Sequence, residues 1–234
     1  MKTFSKVFIA SLLISAPMLS LAKSNGIIKL EPVNVNIKNM QSIERGAKLY
    51  ATNCMVCHAM KYLEHDKIAE SAGITIDKMP VKDQDWWFGT APPDLSLTAR
   101  VHKPNWLYTY FHSFYKDPKH RLGSNNLLVH NSSMPNAFLA LQGEQVLTVN
   151  INKLRHHQLE KTPHYYNVLK LERKGSMTPE QFDQAATDLT NFFVYAGEPI
   201  KAERESLGYY VIGFFFIIFV LGWLLKHEYW KDVK

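Results

Sequence analysis

Apolar residues follow several different rhythms along these 234 residues, and each rhythm predicts a different element. Near the N-terminus, an apolar run over residues 7–21 follows Lys2 and Lys6 and ends at the small-x-small triplet Ser20-Leu21-Ala22, the pattern of an export signal cleaved after Ala22. Its roughly 15 residues, broken by Pro17, fall short of the ~20 that a membrane span requires. From about Ser42 the spacing becomes helical. Ile43, Ala47 and Tyr50 share one face, Ser42 stands as N-cap, and Gly46 marks a place for close helix crossing. Another helix start is written in Thr178-Pro179-Glu180-Gln181: a Thr cap, Pro at the first helical position and Gln three residues after the cap. Phe182, Ala185, Ala186, Leu189, Phe192 and Phe193 then recur at helical spacing until Gly197 and Pro199 stop the helix. Its apolar face is expected to pack on the first helix.

Between these helices, residues 105–115 (NWLYTYFHSFY) read as a short aromatic helix. Residues 145–152 and 166–171 alternate and predict a small β-hairpin, joined through a polar connection containing Pro163, with His156 and His157 as solvated tip residues. Residues 24–38, mixed and polar around Pro32, read as extended chain on a surface. Residues 207–225 carry no charge at all. As a helix they would span about 28 Å, close to the ~30 Å hydrocarbon core of a bilayer. Tyr209, Tyr210 and Trp223 sit near the ends of this run, and Lys226, Lys231 and Lys234 follow it, which places the tail in the cytoplasm. The predicted organisation is a signal peptide (1–22), an exported domain (23–206), a transmembrane helix (207–225) and a cytoplasmic tail (226–234). The domain would then lie on the periplasmic side of a bacterial inner membrane. No internal repeat interrupts this plan.

The formal net charge of +6 shrinks once the segments are separated. Residues 23–206 hold 22 basic against 19 acidic side chains, a surplus of three. Such a balance leaves no basic footprint for nucleic acid.

Candidate chemistry begins at Cys54-Met55-Val56-Cys57-His58, which contains both cysteines of the chain. C-x-x-C-H is the attachment signature of c-type haem: both thiols add to vinyl groups, and the histidine becomes an axial ligand. A zinc site would need a second ligand pair of suitable spacing, and a redox dithiol would need a βαβ context; neither is present. Haem attachment also requires the exported side, which agrees with the signal and the anchor, and it leaves no cysteine for a disulfide. Residues 86–96 (WWFGTAPPDLS) are too rich in aromatics and proline for regular structure. An axial histidine needs an acceptor for its second ring nitrogen, and the carbonyl of Pro92 or Pro93 is a candidate. For the sixth iron position, Met40, Met60, Met79, Met134 and Met177 lie outside the motif and signal. Met60 is too close to His58 to reach the other face. The Met-Pro pairs Met79-Pro80 and Met134-Pro135 stand in loops, and His112 and His130 also stay open.

Taken in order, CMVCHAMKYL (54–63), WFGTAPPDLS (87–96), Ala99-Arg100, Ser133-Met134-Pro135, residues 188–199 and the C-terminal span closely resemble the cytochrome c1 family. The resemblance implies a mainly α, class I cytochrome c-like haem domain with long loop insertions and a small β-hairpin, plus one C-terminal transmembrane helix. It implies one covalent haem c on Cys54 and Cys57, with His58 and Met134 as iron ligands, and Arg100 beside a haem propionate. It also implies a subunit of a respiratory ubiquinol-cytochrome c reductase that passes single electrons from a Rieske iron-sulfur protein to a soluble or tethered cytochrome c, with cytochrome b as its membrane partner. Glu64 stands where many relatives carry a basic residue, and the acidic docking patch of mitochondrial members is not visible as a charge run. Alternative readings are a c-type subunit of a terminal oxidase and a haem enzyme with an open iron. A haem-based sensor would need a cytoplasmic output domain, and nine residues follow Leu225.

Overall fold

The computed structural model describes residues 27–80, 91–155 and 162–232. The segment read as a signal peptide, residues 86–90 of the aromatic stretch, and His156 and His157 lie outside them. The longer helices are α1 (Met40–Asn53), α2 (Pro104–His112), α3 (Pro179–Gly197) and α4 (Lys201–Tyr229).

Helix α1 begins earlier than its apolar pattern predicts. Its N-cap is Asn39, whose side chain accepts the Ser42 N–H, so Ser42 is not the cap. Three residues inside the helix, Ser42 instead faces α3, donating its hydroxyl to Asp188 Oδ1 (2.6 Å) and accepting from Asn191 Nδ2 (2.7 Å). Helix α3 starts with the full capping box between Thr178 and Gln181 and runs to Gly197, as predicted. The two helices cross at Gly46, where a Cβ would overlap the backbone carbonyl of Asp188 and the Phe192 side chain. A buried carboxylate is costly unless its oxygens are satisfied. Asp188, 3% exposed, accepts from Ser42, from Gln184 and from both arms of Arg45 at 2.6 and 2.8 Å.

Around this crossing, Ile43, Ala47 and Tyr50 of α1 meet Leu189, Phe192 and Phe193 of α3, and α2 adds Leu107 and Phe111. Each fully buried side chain of this size contributes about 1.5–3 kcal/mol of transfer free energy. Extended residues before α1 lie along the surface as expected, with the Glu31, Val33 and Asn36 N–H groups bonded to Thr109, Asn105 and Asn191 side chains.

The aromatic helix is shorter than predicted. It ends at His112, and β1 (Phe114–Lys116) pairs antiparallel with β2 (Ser124–Asn126). Strands of three residues show no readable alternation, which is why this ladder has no sequence signature. The expected hairpin is present as β3 (Gly143–Leu147) and β4 (Leu169–Lys174), antiparallel, with a bulge between Glu144 and Gln145. Its ends differ from the alternating stretches because Ile151–Arg155 and Tyr165–Val168 are helical and leave the ladder. Gln145 Nε2 donates to the carbonyls of His112 and Phe114, both at 2.9 Å, and so ties the hairpin to the end of α2.

Helix α4 follows α3 after a short break at Pro199 and is 29 residues long. It is long and apolar enough to cross a membrane, and its apolar side chains are exposed throughout. Among the described residues the molecule is thus a mainly helical domain with long loops and small two-stranded sheets, followed by one helix long and apolar enough to cross a membrane.

Candidate functional site

Helix α1 delivers the C-x-x-C-H segment as a turn. The Cys54 N–H still bonds the Tyr50 carbonyl (2.8 Å), and the N–H groups of Cys57 and His58 both bond the Cys54 carbonyl (3.0 and 2.9 Å). Tyr50, fully buried between the crossing helices, donates its hydroxyl to the His58 carbonyl at 2.7 Å. The apolar face that builds the core therefore also fixes the end of the motif. Neither cysteine is in a disulfide. Burial, with Cys57 nearby, pushes the Cys54 thiol up to about 12, and burial also raises Cys57. Protonated thiols of this kind do not suit a thiolate nucleophile.

His58 is 8% exposed, and its Nδ1 lies 2.8 Å from the Pro93 carbonyl. A carbonyl only accepts, so Nδ1 carries the proton and Nε2 keeps its lone pair. Burial lowers the imidazole's pKa, against the opposing pull of the Pro93 hydrogen bond and the Asp94 charge. The ring is thereby kept neutral, the form that ligates a metal. Of the two prolines proposed from the sequence, the structure selects Pro93.

The Pro93 loop is stitched to the segment after the motif. Leu95 N–H donates to the Ala59 carbonyl (2.9 Å), Lys61 N–H to Asp94 Oδ2 (3.0 Å) and Tyr62 N–H to Ser96 Oγ (3.1 Å). Asp94 Oδ1 also accepts from Ser96 N–H at 2.8 Å, an Asx turn that shapes the loop. Asp94, Ser96 and the Tyr50 hydroxyl were not singled out from the sequence. Only the Asp-x-Ser spacing offered a signal for them.

Cys54, Cys57, His58, Pro93 and Met134 line one cavity of about 370 Å³. An adjoining space of about 520 Å³ shares Cys54, His58, Pro93 and Met134 and is walled by Leu95, Trp106, Phe111 and Phe138 among others. Met134 S accepts a hydrogen bond from the Tyr110 hydroxyl at 3.3 Å, and Met134 N–H bonds Ser132 Oγ at 3.1 Å. The other methionines do not line this space. Met60 and Met79 are buried in the core, Met40 is exposed on α1, and Met177 packs at the core's edge beside α3. The His112 ring is occupied by the Tyr108 carbonyl and Asp183, both at 2.8 Å, and His130 is not in the cavity wall. Arg100 is not in that wall either: its guanidinium stands 3.9 Å from Glu198, 59% exposed.

This donor set fits a haem. Two thiols lie on one turn, beside a neutral imidazole with a free Nε2, a thioether shares the same cavity, and the walls are apolar. Among the described residues, no group of three or more His, Cys, Asp or Glu side chains is arranged to hold a separate metal ion.

Residues 83–233 match the Cytochrome C1 family. That span includes Pro93, Arg100 and Met134 and begins after the C-x-x-C-H segment. The chain is 36% identical to cytochrome c1 of Allochromatium vinosum, over 97% of this chain and 99% of that protein. It is 34% identical to a Nitrosomonas europaea protein named ammonia monooxygenase gamma subunit, over 88% of this chain and 89% of that one. Cytochrome c1 of Rhodospirillum rubrum is 26% identical, over 62% and 52% of the two chains.

Proposed function

The chain belongs to the cytochrome c1 family, and on that premise we propose that it is the membrane-anchored c-type cytochrome of a respiratory quinol-cytochrome c reductase. In this role it accepts single electrons from a Rieske iron-sulfur protein and delivers them to a soluble or tethered cytochrome c. The observation that carries the reading is the meeting of Cys54, Cys57, His58 and Met134 in one cavity, with His58 Nδ1 held by the Pro93 carbonyl.

In this reading Cys54 and Cys57 would carry one haem c through thioether bonds, and His58 Nε2 and Met134 S would be the side-chain atoms that hold its iron. A bound haem supplies reversible one-electron chemistry at iron, with a thioether ligand raising its potential. The chain's part is to hold and insulate. Pro93 fixes the ring orientation of His58, while Leu95, Phe111 and Phe138 give the cavity apolar walls. Arg100 is the proposed counter-charge of a propionate; its 3.9 Å pair with Glu198 is loose enough to contribute little by itself.

Helix α4 is the membrane anchor, with the haem domain on the periplasmic side of a bacterial inner membrane and the tail in the cytoplasm. Gly208, Gly213 and Gly222 have no neighbouring atom within 4 Å of where a Cβ would stand. Gly208 and Gly222, 14 residues apart and so on nearly the same side of the helix, offer a face on which a cytochrome b helix can approach closely.

Purification from native membranes in mild detergent tests the reading. A cytochrome b and an iron-sulfur protein are expected to co-purify, and added quinol should reduce the c-type absorption band only while the iron-sulfur protein is present. Co-purification with a copper-containing oxidase, or with oxygenase subunits of the kind named for the Nitrosomonas relative, would overturn it.

A further inference from the structure

Asn125, Asn126 and Ser132 are buried, 1%, 1% and 5% exposed, and Ser132 shares a cavity wall with Cys54, His58 and Met134. Burying an amide or a hydroxyl costs free energy unless its partners are supplied. Here one partner of each asparagine leads toward the same side chain, Met134. Asn126 Nδ2 donates to the Tyr110 carbonyl (3.0 Å), and its Oδ1 accepts from the N–H groups of Leu128 (2.9 Å) and Val129 (3.4 Å). Asn125 Oδ1 accepts from Asn131 N–H (3.0 Å), and its Nδ2 donates to Asp117 (3.0 Å). Asn131 sits at φ 56°, a left-handed conformation that asparagine tolerates. This turn brings Ser132 to the Met134 N–H. From the other direction, the Tyr110 hydroxyl donates to Met134 S at 3.3 Å. The Tyr110 ring is itself fixed, stacked on Trp106 (centroids 5.0 Å apart), which stacks on His102 (3.9 Å), with successive residues four positions apart.

A methionine side chain has three rotatable bonds and adapts to whatever surrounds it. A ligand sulfur must instead point one way. We infer that Tyr110 is a positioning residue for the Met134 thioether, and that the Asn125-Asn126 turn is the scaffold that aims it. The inference rests on Met134 being the iron ligand. Thioether ligation raises the reduction potential, so by holding the sulfur on the iron Tyr110 also keeps the potential high.

The test uses the full-length, haem-loaded protein in detergent. Tyr110→Phe removes one oxygen atom. The expected result is a lower reduction potential, a weaker thioether-to-iron absorption band at the red edge of the spectrum, and about five-fold tighter imidazole binding to the oxidised protein, the size expected for one lost neutral hydrogen bond. Asn126→Ala should give the same signature more strongly; if it does not fold, Tyr110→Phe decides alone. Tyr195→Phe is the structural control, since it removes a 2.6 Å contact to Asp66 away from the cavity. It should lower thermal stability and leave potential and imidazole affinity unchanged. An unchanged potential, band and imidazole affinity in Tyr110→Phe, with the band abolished by Met134→Leu, would overturn the positioning role and leave the ligand assignment standing. Equal shifts in Tyr195→Phe would overturn it too, by showing general destabilisation. A band that survives Met134→Leu removes the ligand assignment and this inference together.

Discussion

On the histidine side of the cavity, Cys54, Cys57 and His58 arrive within five consecutive residues, and the Pro93 loop that orients the histidine is bonded to the segment directly after them. On the methionine side, Met134 arrives alone, and its supports come from Tyr110 on α2 and from Asn125, Asn126 and Ser132 on the strand and loop just before it. On the first side the two thiols and the imidazole are fixed by covalent neighbourhood, and the one distant element is the loop 35 residues on that orients the ring. The second exists only when α2, β2 and the loop after it are assembled. Damage to the histidine side should therefore show as lost attachment or local stability, and damage to the methionine side as altered iron ligation in a protein that still holds its haem.

The largest effect that separates the two comes from Cys54→Ser combined with Cys57→Ser. Haem should then migrate off the polypeptide in a denaturing gel stained for haem, whereas any single change around Met134 should leave the stain on the chain. Next is Gly46→Ala, which sets a methyl group against the Asp188 carbonyl beneath both sides. Such overpacking is expected to cost about 3 kcal/mol, read as a lower thermal midpoint, with the covalent haem retained.

Asp94→Asn is a smaller and more local break. Burial pushes this carboxyl up, but the hydrogen bonds from Ser96 and from the Lys61 N–H outweigh it and hold it below the usual carboxylate range. A depressed carboxyl stabilises the fold above its unfolded value of about 4 and loses that contribution as pH falls through its folded value. With solvent screening held against its hydrogen bonds, the variant should therefore be about 1 kcal/mol less stable than wild type near neutrality, and the gap should close below pH ~4 in denaturant titrations. Its thioether band should be unchanged, because Met134 is supported from elsewhere. Smallest is Ser96→Ala, which leaves the Tyr62 N–H without its acceptor and should cost at most about 1 kcal/mol by the same titration.

The same contrast explains what was legible in the sequence. Cys54, Cys57 and His58 could be read because the chemistry is written in spacing, and Pro93 was narrowed to one of two because prolines offer carbonyls without N–H groups. The crossing of α1 and α3 could be read from Gly46 and two apolar faces. The cap at Asn39 could not, since Ser42 is an equally good capping residue until α3 claims its hydroxyl. Tyr110 read as one more aromatic in a helix, and Asn125 and Asn126 carried no reading, because their use depends on how the folded loop meets α2. Met134 itself was one of several methionines until the family pattern singled it out.

Optical spectroscopy with potentiometry of Met134→Leu, beside the wild-type protein, is the most direct measurement. The wild type is expected to show the thioether band when oxidised and to leave carbon monoxide unbound when reduced. The variant is expected to lose the band, bind carbon monoxide and fall in potential by on the order of hundreds of millivolts. A variant that keeps the band and the potential, with carbon monoxide still excluded, would contradict a haem held between His58 and Met134.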